Sequence, residues 1–162
     1  MSDTWALLPV KQVNRSKTRL QSVLRPQECA LLSRAMFMDV LTAMEAADSI
    51  DRIAVLTNDA QVADLARRSG NTVIEDTDEE LCAGLNAAAK QIRNEGGQRV
   101  LIMPGDIPTV TAADIDGLMA RHTDGLSLCP AIRDGGTNAL VCSPPDAIPF
   151  QFGPDSANRH LE

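Results

Sequence analysis

Residues 99–106 read Arg-Val-Leu-Ile-Met-Pro-Gly-Asp. The run Arg99 to Met103 is the most apolar strand-like stretch of the chain. It is short, and a Pro-Gly pair ends it, as expected of a buried strand. Helical patterns lie on both sides. Leu81 to Glu95 reads as a helix closed by Gly96-Gly97, and Thr111-Ala-Ala-Asp114 is a capping-box variant that opens another, ending near His122. A strand between two helices is the repeating unit of a parallel sheet.

Working outward, the same alternation recurs. Trp5 to Val10 is a first strand, and Pro26 opens a helix that reaches Ala47. Leu31, Ala35, Met38 and Leu41 are expected on its buried face. Arg52 to Thr57 is a second strand that ends at a cap, Asn58-Asp59. The helix that follows stops at Gly70. Thr72 to Glu75 is a short third strand. Leu126 to Cys129 and Asn138 to Cys142 are two more strands with no long helix between them. The chain from Ser143 onward is proline-rich and loop-like. The order β-α-β-α-β-α-β-α-β-β predicts the α/β class: a three-layer α/β/α sandwich around a mostly parallel sheet. Ligands of such sheets sit beyond the carboxyl ends of the strands, where the strand order reverses.

Length and composition agree with one domain. The chain has 162 residues, 44% of them hydrophobic and 23% charged. Trp5, Phe37, Phe150 and Phe152 are its aromatics, with no tyrosine. That speaks against a base-stacking surface for single-stranded nucleic acid. The net charge of -7 speaks against nonspecific nucleic-acid binding. Within residues 1–25, Lys11, Arg15, Lys17, Arg19 and Arg25 face a single acid, Asp3. A basic island on an acidic chain suits a small anion, though a solvated basic loop has the same composition. Cys29, Cys82, Cys129 and Cys142 have no CxxC spacing, and His122 and His160 complete no zinc pattern. Free thiols, no secretory leader and no membrane-length apolar run make a cytoplasmic protein with no membrane partner the expectation.

Several familiar fingerprints are missing: GxGxxG after the first strand, GxxxxGK[ST], and GxSxG. Asp114-Ile-Asp116-Gly has the spacing of an aspartate-nucleophile phosphatase motif, but its setting predicts a first helical turn. The loop after the first strand offers Lys17 and Arg19 to phosphate oxygens. After the strand at 99–103, Gly105 lets backbone approach a ligand, and Asp106 can hold Mg²⁺ or cap a turn. Asp134-Gly-Gly-Thr-Asn138 is either a ligand loop or a hairpin turn. Gly153-Pro-Asp-Ser156 reads as a helix start and a candidate anion pocket.

Together these pieces resemble one family. The segments are Leu-Leu-Pro-Val-Lys11, Ser16-Lys-Thr-Arg-Leu20, Leu56-Thr-Asn-Asp59, Gly84-Leu-Asn-Ala-Ala88, Pro104-Gly-Asp-Ile-Pro108, Gly135-Gly-Thr-Asn138 and Phe152-Gly-Pro-Asp-Ser156. Their order is similar to that of the 2-phospho-L-lactate and phosphoenolpyruvate guanylyltransferases of coenzyme F-420 biosynthesis. The resemblance implies a nucleotide-diphospho-sugar transferase fold (GT-A-like). It implies transfer of GMP from GTP to a three-carbon phospho-acid, either 2-phospho-L-lactate, phosphoenolpyruvate or 3-phosphoglycerate, with Mg²⁺. The product would pass to a deazaflavin transferase, and a homodimer is compatible with this reading. Lys17 and Arg19, helped by Lys11, would clamp the GTP phosphates. Leu8, Gly84, Leu85 and Asn86 would line the guanine and ribose pocket, and Asp106 would bind the metal. Thr137, Gly153 and Ser156 would hold the phospho-acid.

Two departures stand out. Ala157 replaces a bulkier residue that usually follows the Asp-Ser pair. Family members also continue into another strand and an Asp-x-Asp-type segment that supplies a second metal ligand. Residues 1–162 are thus expected to be a single nucleotidyltransferase domain lacking its C-terminal strand. The alternatives are a related nucleotidyltransferase using another base or a sugar phosphate, and a truncated, inactive nucleotide-binding domain.

Overall fold

The structure, a computed structural model, describes residues 3–11 and 18–162. Six strands form one sheet: β1 (Thr4–Val10), β2 (Arg52–Thr57), β3 (Thr72–Glu75), β4 (Arg99–Ile102), β5 (Gly125–Pro130) and β6 (Thr137–Ser143). Five helices join or follow them: α1 (Pro26–Ala46), α2 (Ala60–Arg68), α3 (Leu81–Asn94), α4 (Ala112–Arg121) and α5 (Ser156–Leu161). The strand order is β3-β2-β1-β4-β6-β5. β1 pairs in parallel with β2 and β4, and β2 with β3. β6 runs against both β4 and β5. The order therefore turns between β1 and β4, which is where such a sheet opens a crevice at its carboxyl edge.

Alternation along the strands builds two apolar layers. Ala6, Leu8, Ile53, Val55, Leu101, Met103, Ala139 and Val141 face α1, α2 and α4. Trp5, Leu7, Ala54, Leu56, Val100, Ile102, Leu140 and Cys142 face α3 and Phe150. This is the expected three-layer sandwich. Each fully buried large side chain contributes roughly 1.5–3 kcal/mol.

The caps behave as their residue types predict. Asp59 accepts from the N–H groups of Gln61 and Val62 at the start of α2. Thr111 and Asp114 form the reciprocal box at α4. Asp116, in the same turn, takes the Ser49 hydroxyl and backbone N–H and the Asp48 N–H. The Ser49 bonds hold its carboxyl below the usual range. The pair Asp114 and Asp116 is thus a helix start that docks α4 on the α1–β2 connection, not a phosphatase motif.

The buried face of α1 differs from the expected one. Leu31 is 63% exposed, whereas Ser33, Phe37, Val40, Leu41 and Met44 are buried. Apolar residues surround almost the whole circumference of this helix, so periodicity alone leaves its rotation undetermined. Packing selects the face that carries Phe37, the bulkiest side chain available to fill the layer. The tail also holds more structure than a loop, since α5 forms at its end.

Candidate functional site

The carboxyl ends of β1, β2 and β3 are tied together by one threonine. Thr57 Oγ1 donates to the Val10 carbonyl at 2.7 Å and accepts the Asp59 N–H at 3.1 Å. The Thr57 carbonyl accepts the Asp76 N–H at 3.1 Å. Across this edge, Lys11 Nζ donates to Asp76 Oδ2 at 2.6 Å and to the Asp78 carbonyl at 3.1 Å. The Asp76 side chain is 1% exposed and that of Lys11 36%. The pair fixes an ammonium group with one side buried and the other open to water.

Gly84 makes room for that carboxylate. A Cβ there would stand 2.7 Å from Asp76 Oδ1. Gly84→Ala is expected to displace Asp76, loosen Lys11 and cost about 1–3 kcal/mol, read as a fall in thermal midpoint. An unchanged midpoint would mean that Asp76 moves aside freely.

The other residues expected to line the nucleotide pocket divide differently. Leu8 and Leu85 are fully buried. Leu8 faces the α1 layer, and Leu85 lies on the sheet side of α3 with Ala88, Ala89 and Ile92. Their side chains belong to the core and do not line an open pocket. Asn86 is a tie, with its amide N–H on the Cys82 carbonyl and its Oδ1 accepting the Phe150 N–H. Arg19 lies exposed in a short 3-10 turn, Thr18–Leu20. Lys17 lies outside the described residues.

Asp106 follows β4 in an exposed turn. Gly105 before it lies against the end of β1, where a Cβ would meet Val10 Cγ2 at 3.5 Å and Leu8 Cδ1 at 3.6 Å. Asp106 and Lys11 therefore both lie just beyond the carboxyl ends of two adjacent strands, β4 and β1. Among the described residues, no group of three or more His, Cys, Asp or Glu side chains gathers to hold a metal. A single exposed carboxylate fits Mg²⁺ that arrives on nucleotide phosphates, because Mg²⁺ takes few protein ligands and keeps waters and phosphate oxygens.

The third part of the site lies at the start of β6, which runs against β4 and so begins at the same edge. Residues 131–136 form the turn between β5 and β6, with Gly135 at φ +68° and the Gly136 N–H bonded to Asp134 Oδ1. This loop is bonded to the one before α5: the Asp155 N–H donates to the Asp134 carbonyl at 3.1 Å, and the Ala157 N–H to the Gly135 carbonyl at 3.0 Å. Beneath them, Thr137 Oγ1 and Ser156 Oγ are 2.8 Å apart, and both residues are buried. Gly153 is exposed, at φ +129°. Thr137, Gly153 and Ser156 are thus brought together, but the two hydroxyls face each other and not open solvent.

Two residues at the site had not been singled out. Asp76 directly follows β3, and the rule that ligands sit beyond strand ends would have found it. His160 joins the Thr137–Ser156 pair, and a lone histidine near a terminus carries no signal of its own. The four cysteines are free, as their spacing suggested. No described helix is long and apolar enough to cross a membrane.

The fold is the one seen in nucleotide-diphospho-sugar transferase and cytidylyltransferase structures. A nucleotide-diphospho-sugar transferase structure from Desulfovibrio desulfuricans G20 superposes with a TM-score of 0.76 at 21% identity, covering 92% of this chain and 67% of that one. A 4-diphosphocytidyl-2C-methyl-D-erythritol synthase gives 0.65 at 12% identity, over 98% and 85%. The family profile described as guanylyl transferase CofC like matches residues 4–162. The phosphoenolpyruvate guanylyltransferase of Chloroflexus aggregans is 38% identical over 159 residues, 95% of this chain and 79% of that protein. The 2-phospho-L-lactate guanylyltransferase of Methanothermobacter thermautotrophicus is 32% identical over 158 residues, 98% and 70%. The chain belongs to the guanylyl transferase CofC-like family of enzymes.

Proposed function

We propose that this enzyme transfers a guanylyl group from GTP to the phosphate of a three-carbon phospho-acid, phosphoenolpyruvate or 2-phospho-L-lactate. A phosphate oxygen of the acid attacks the α-phosphorus of GTP. The new P–O bond forms as the bond to the β-phosphate oxygen breaks, and pyrophosphate leaves. The attacking oxygen is already ionised near neutral pH, so no protein base is needed. The protein's work is to hold two polyanions in line and to offset their charge.

The common carboxyl edge that Lys11, Asp106 and Thr137 occupy, in a chain of this family, carries this reading. Lys11 has three ammonium hydrogens and, among the described residues, gives two to Asp76 and Asp78, which leaves one for a triphosphate. Lys17 and Arg19 would add charge from the following loop. Asp106 would hold Mg²⁺, which when bound offsets charge on the phosphates. Thr137, Gly153 and Ser156 would receive the phospho-acid.

Pyrophosphate release from GTP, ATP, CTP or UTP with Mg²⁺ tests the reading. Each nucleotide is paired with phosphoenolpyruvate, 2-phospho-L-lactate or 3-phosphoglycerate, and products are weighed by mass spectrometry. Release with GTP plus a phospho-acid, and a guanylylated product mass, is the expected result. A preference for another nucleotide, or GTP binding with no turnover on any acid, overturns it.

A further inference from the structure

The buried hydroxyl pair beneath the two loops is ordered by His160. The Gln151 N–H points at His160 Nε2, 2.8 Å away. A backbone N–H can only donate, so Nε2 is bare and the neutral ring carries its proton on Nδ1. Nδ1 lies 3.1 Å from Thr137 Oγ1, which must accept from it. The Thr137 hydroxyl then has its hydrogen for Ser156 Oγ, 2.8 Å further on. With Thr137 donating to Ser156, every bond of the chain points the same way, from Gln151 through His160 and Thr137 to Ser156. The Ser156 hydroxyl hydrogen is left over at the end, in a residue with no solvent exposure. Among the described residues it has no acceptor of its own. A buried donor without an acceptor is costly, and an anion oxygen would satisfy it.

We propose that His160 is a positioning residue for the phospho-acid site, one that fixes the direction of the hydroxyl chain so that Ser156 presents a donor to the bound anion. The proposal rests on the function proposed above. Anions need donors, and a reversed chain would turn lone pairs toward them. Ring packing holds the histidine in place: the Phe152 ring meets it edge-on at 5.1 Å. Thr137 from β6, Ser156 from its own helix and Phe152 from the preceding segment are uncharged neighbours, and Arg159 is the charged one whose field acts on it. Burial first, and Arg159 second, keep the imidazole neutral by lowering its pKa from the ordinary 6.5. Protonation would set Nε2–H against the Gln151 N–H and break the first bond of the chain.

Two substitutions separate direction from mere packing. His160→Gln can keep an acceptor near the Nε2 position for Gln151 but loses the donor to Thr137. His160→Asn can keep a donor near the Nδ1 position and loses the acceptor. Binding of phosphoenolpyruvate and of 2-phospho-L-lactate is measured by titration calorimetry, with KM for GTP and the thermal midpoint alongside. His160→Gln is expected to weaken phospho-acid binding roughly 10-fold or more, the scale of a lost hydrogen bond to a charged group, with KM for GTP little changed. His160→Asn should retain most of the affinity. Wild-type affinity should also fall more steeply below pH 6.5 than that of His160→Gln, which supplies the baseline for the acid's own titration. Equal loss in both variants, or equal weakening of GTP and phospho-acid, assigns His160 a packing role and overturns the proposal while the guanylyltransferase reading stands. A wild-type protein that binds neither phospho-acid overturns both.

Discussion

Asp106→Asn is expected to lower turnover by at least ~10²-fold, with a fall in thermal midpoint too small to account for it. The separation of the two effects follows from position. Asp106 is exposed in the turn after β4 and contributes little to the core. It lies beyond the carboxyl end of β4, next to where the strand order turns, with Gly105 packed against the end of β1. Asparagine keeps the shape and one carbonyl oxygen but removes the negative charge. A divalent cation held by Asp106 on the nucleotide phosphates would lose that carboxylate's charge. The variant should therefore also need more Mg²⁺ for half-maximal rate. Near-normal turnover, or an unchanged Mg²⁺ requirement, would remove Asp106 from the metal role. A fall in thermal midpoint matching the loss of rate would mean that the residue acts by holding the turn.

The strands were legible because two physical signals coincided in them. Apolar runs of four to seven residues ended at proline, a capping acid or, after β1, a basic loop, and those ends are where the chain must leave the sheet. β2 and β3 have the expected bounds, Arg52–Thr57 and Thr72–Glu75. Periodicity worked less well for α1, since a helix apolar nearly all round can present several faces to a sheet, and Leu31 proved to be outside. The positions of Lys11 and Asp106 just after β1 and β4 were legible, because each follows an apolar run. Settings that depend on a distant partner were not legible. The pairing of Lys11 with Asp76 spans 65 positions, and the pairing of Thr137 with His160 spans 23. No local pattern records such contacts. The fully buried side chains of Leu8 and Leu85 show the converse: residues that a family resemblance ties to a ligand can serve the core.

Lys11→Met is expected to have the largest effect on stability of any substitution at the site, because of what it leaves behind. Asp76 is 1% exposed, and the 2.6 Å bond from Lys11 is its charge partner. Without the ammonium, the carboxylate keeps the 3.3 Å bond from the Asp78 N–H among the described residues. Stranding a buried charge costs several kcal/mol, and water at the open side of Lys11 moderates this to about 2–4 kcal/mol. In a domain of this size that is a drop in thermal midpoint of roughly 5–15 °C. GTP binding should weaken as well, which by itself cannot separate a lost phosphate contact from a distorted site. The double substitution Lys11→Met with Asp76→Asn separates them. It strands no charge, so the thermal midpoint should recover most of the loss, whereas GTP affinity should stay low if the third ammonium hydrogen serves the triphosphate. Recovery of both would make the pair a structural strut with no part in binding the nucleotide. An unchanged midpoint in the single variant would mean that Asp76 reaches water once Lys11 is gone, and that the edge of the sheet holds together without the pair.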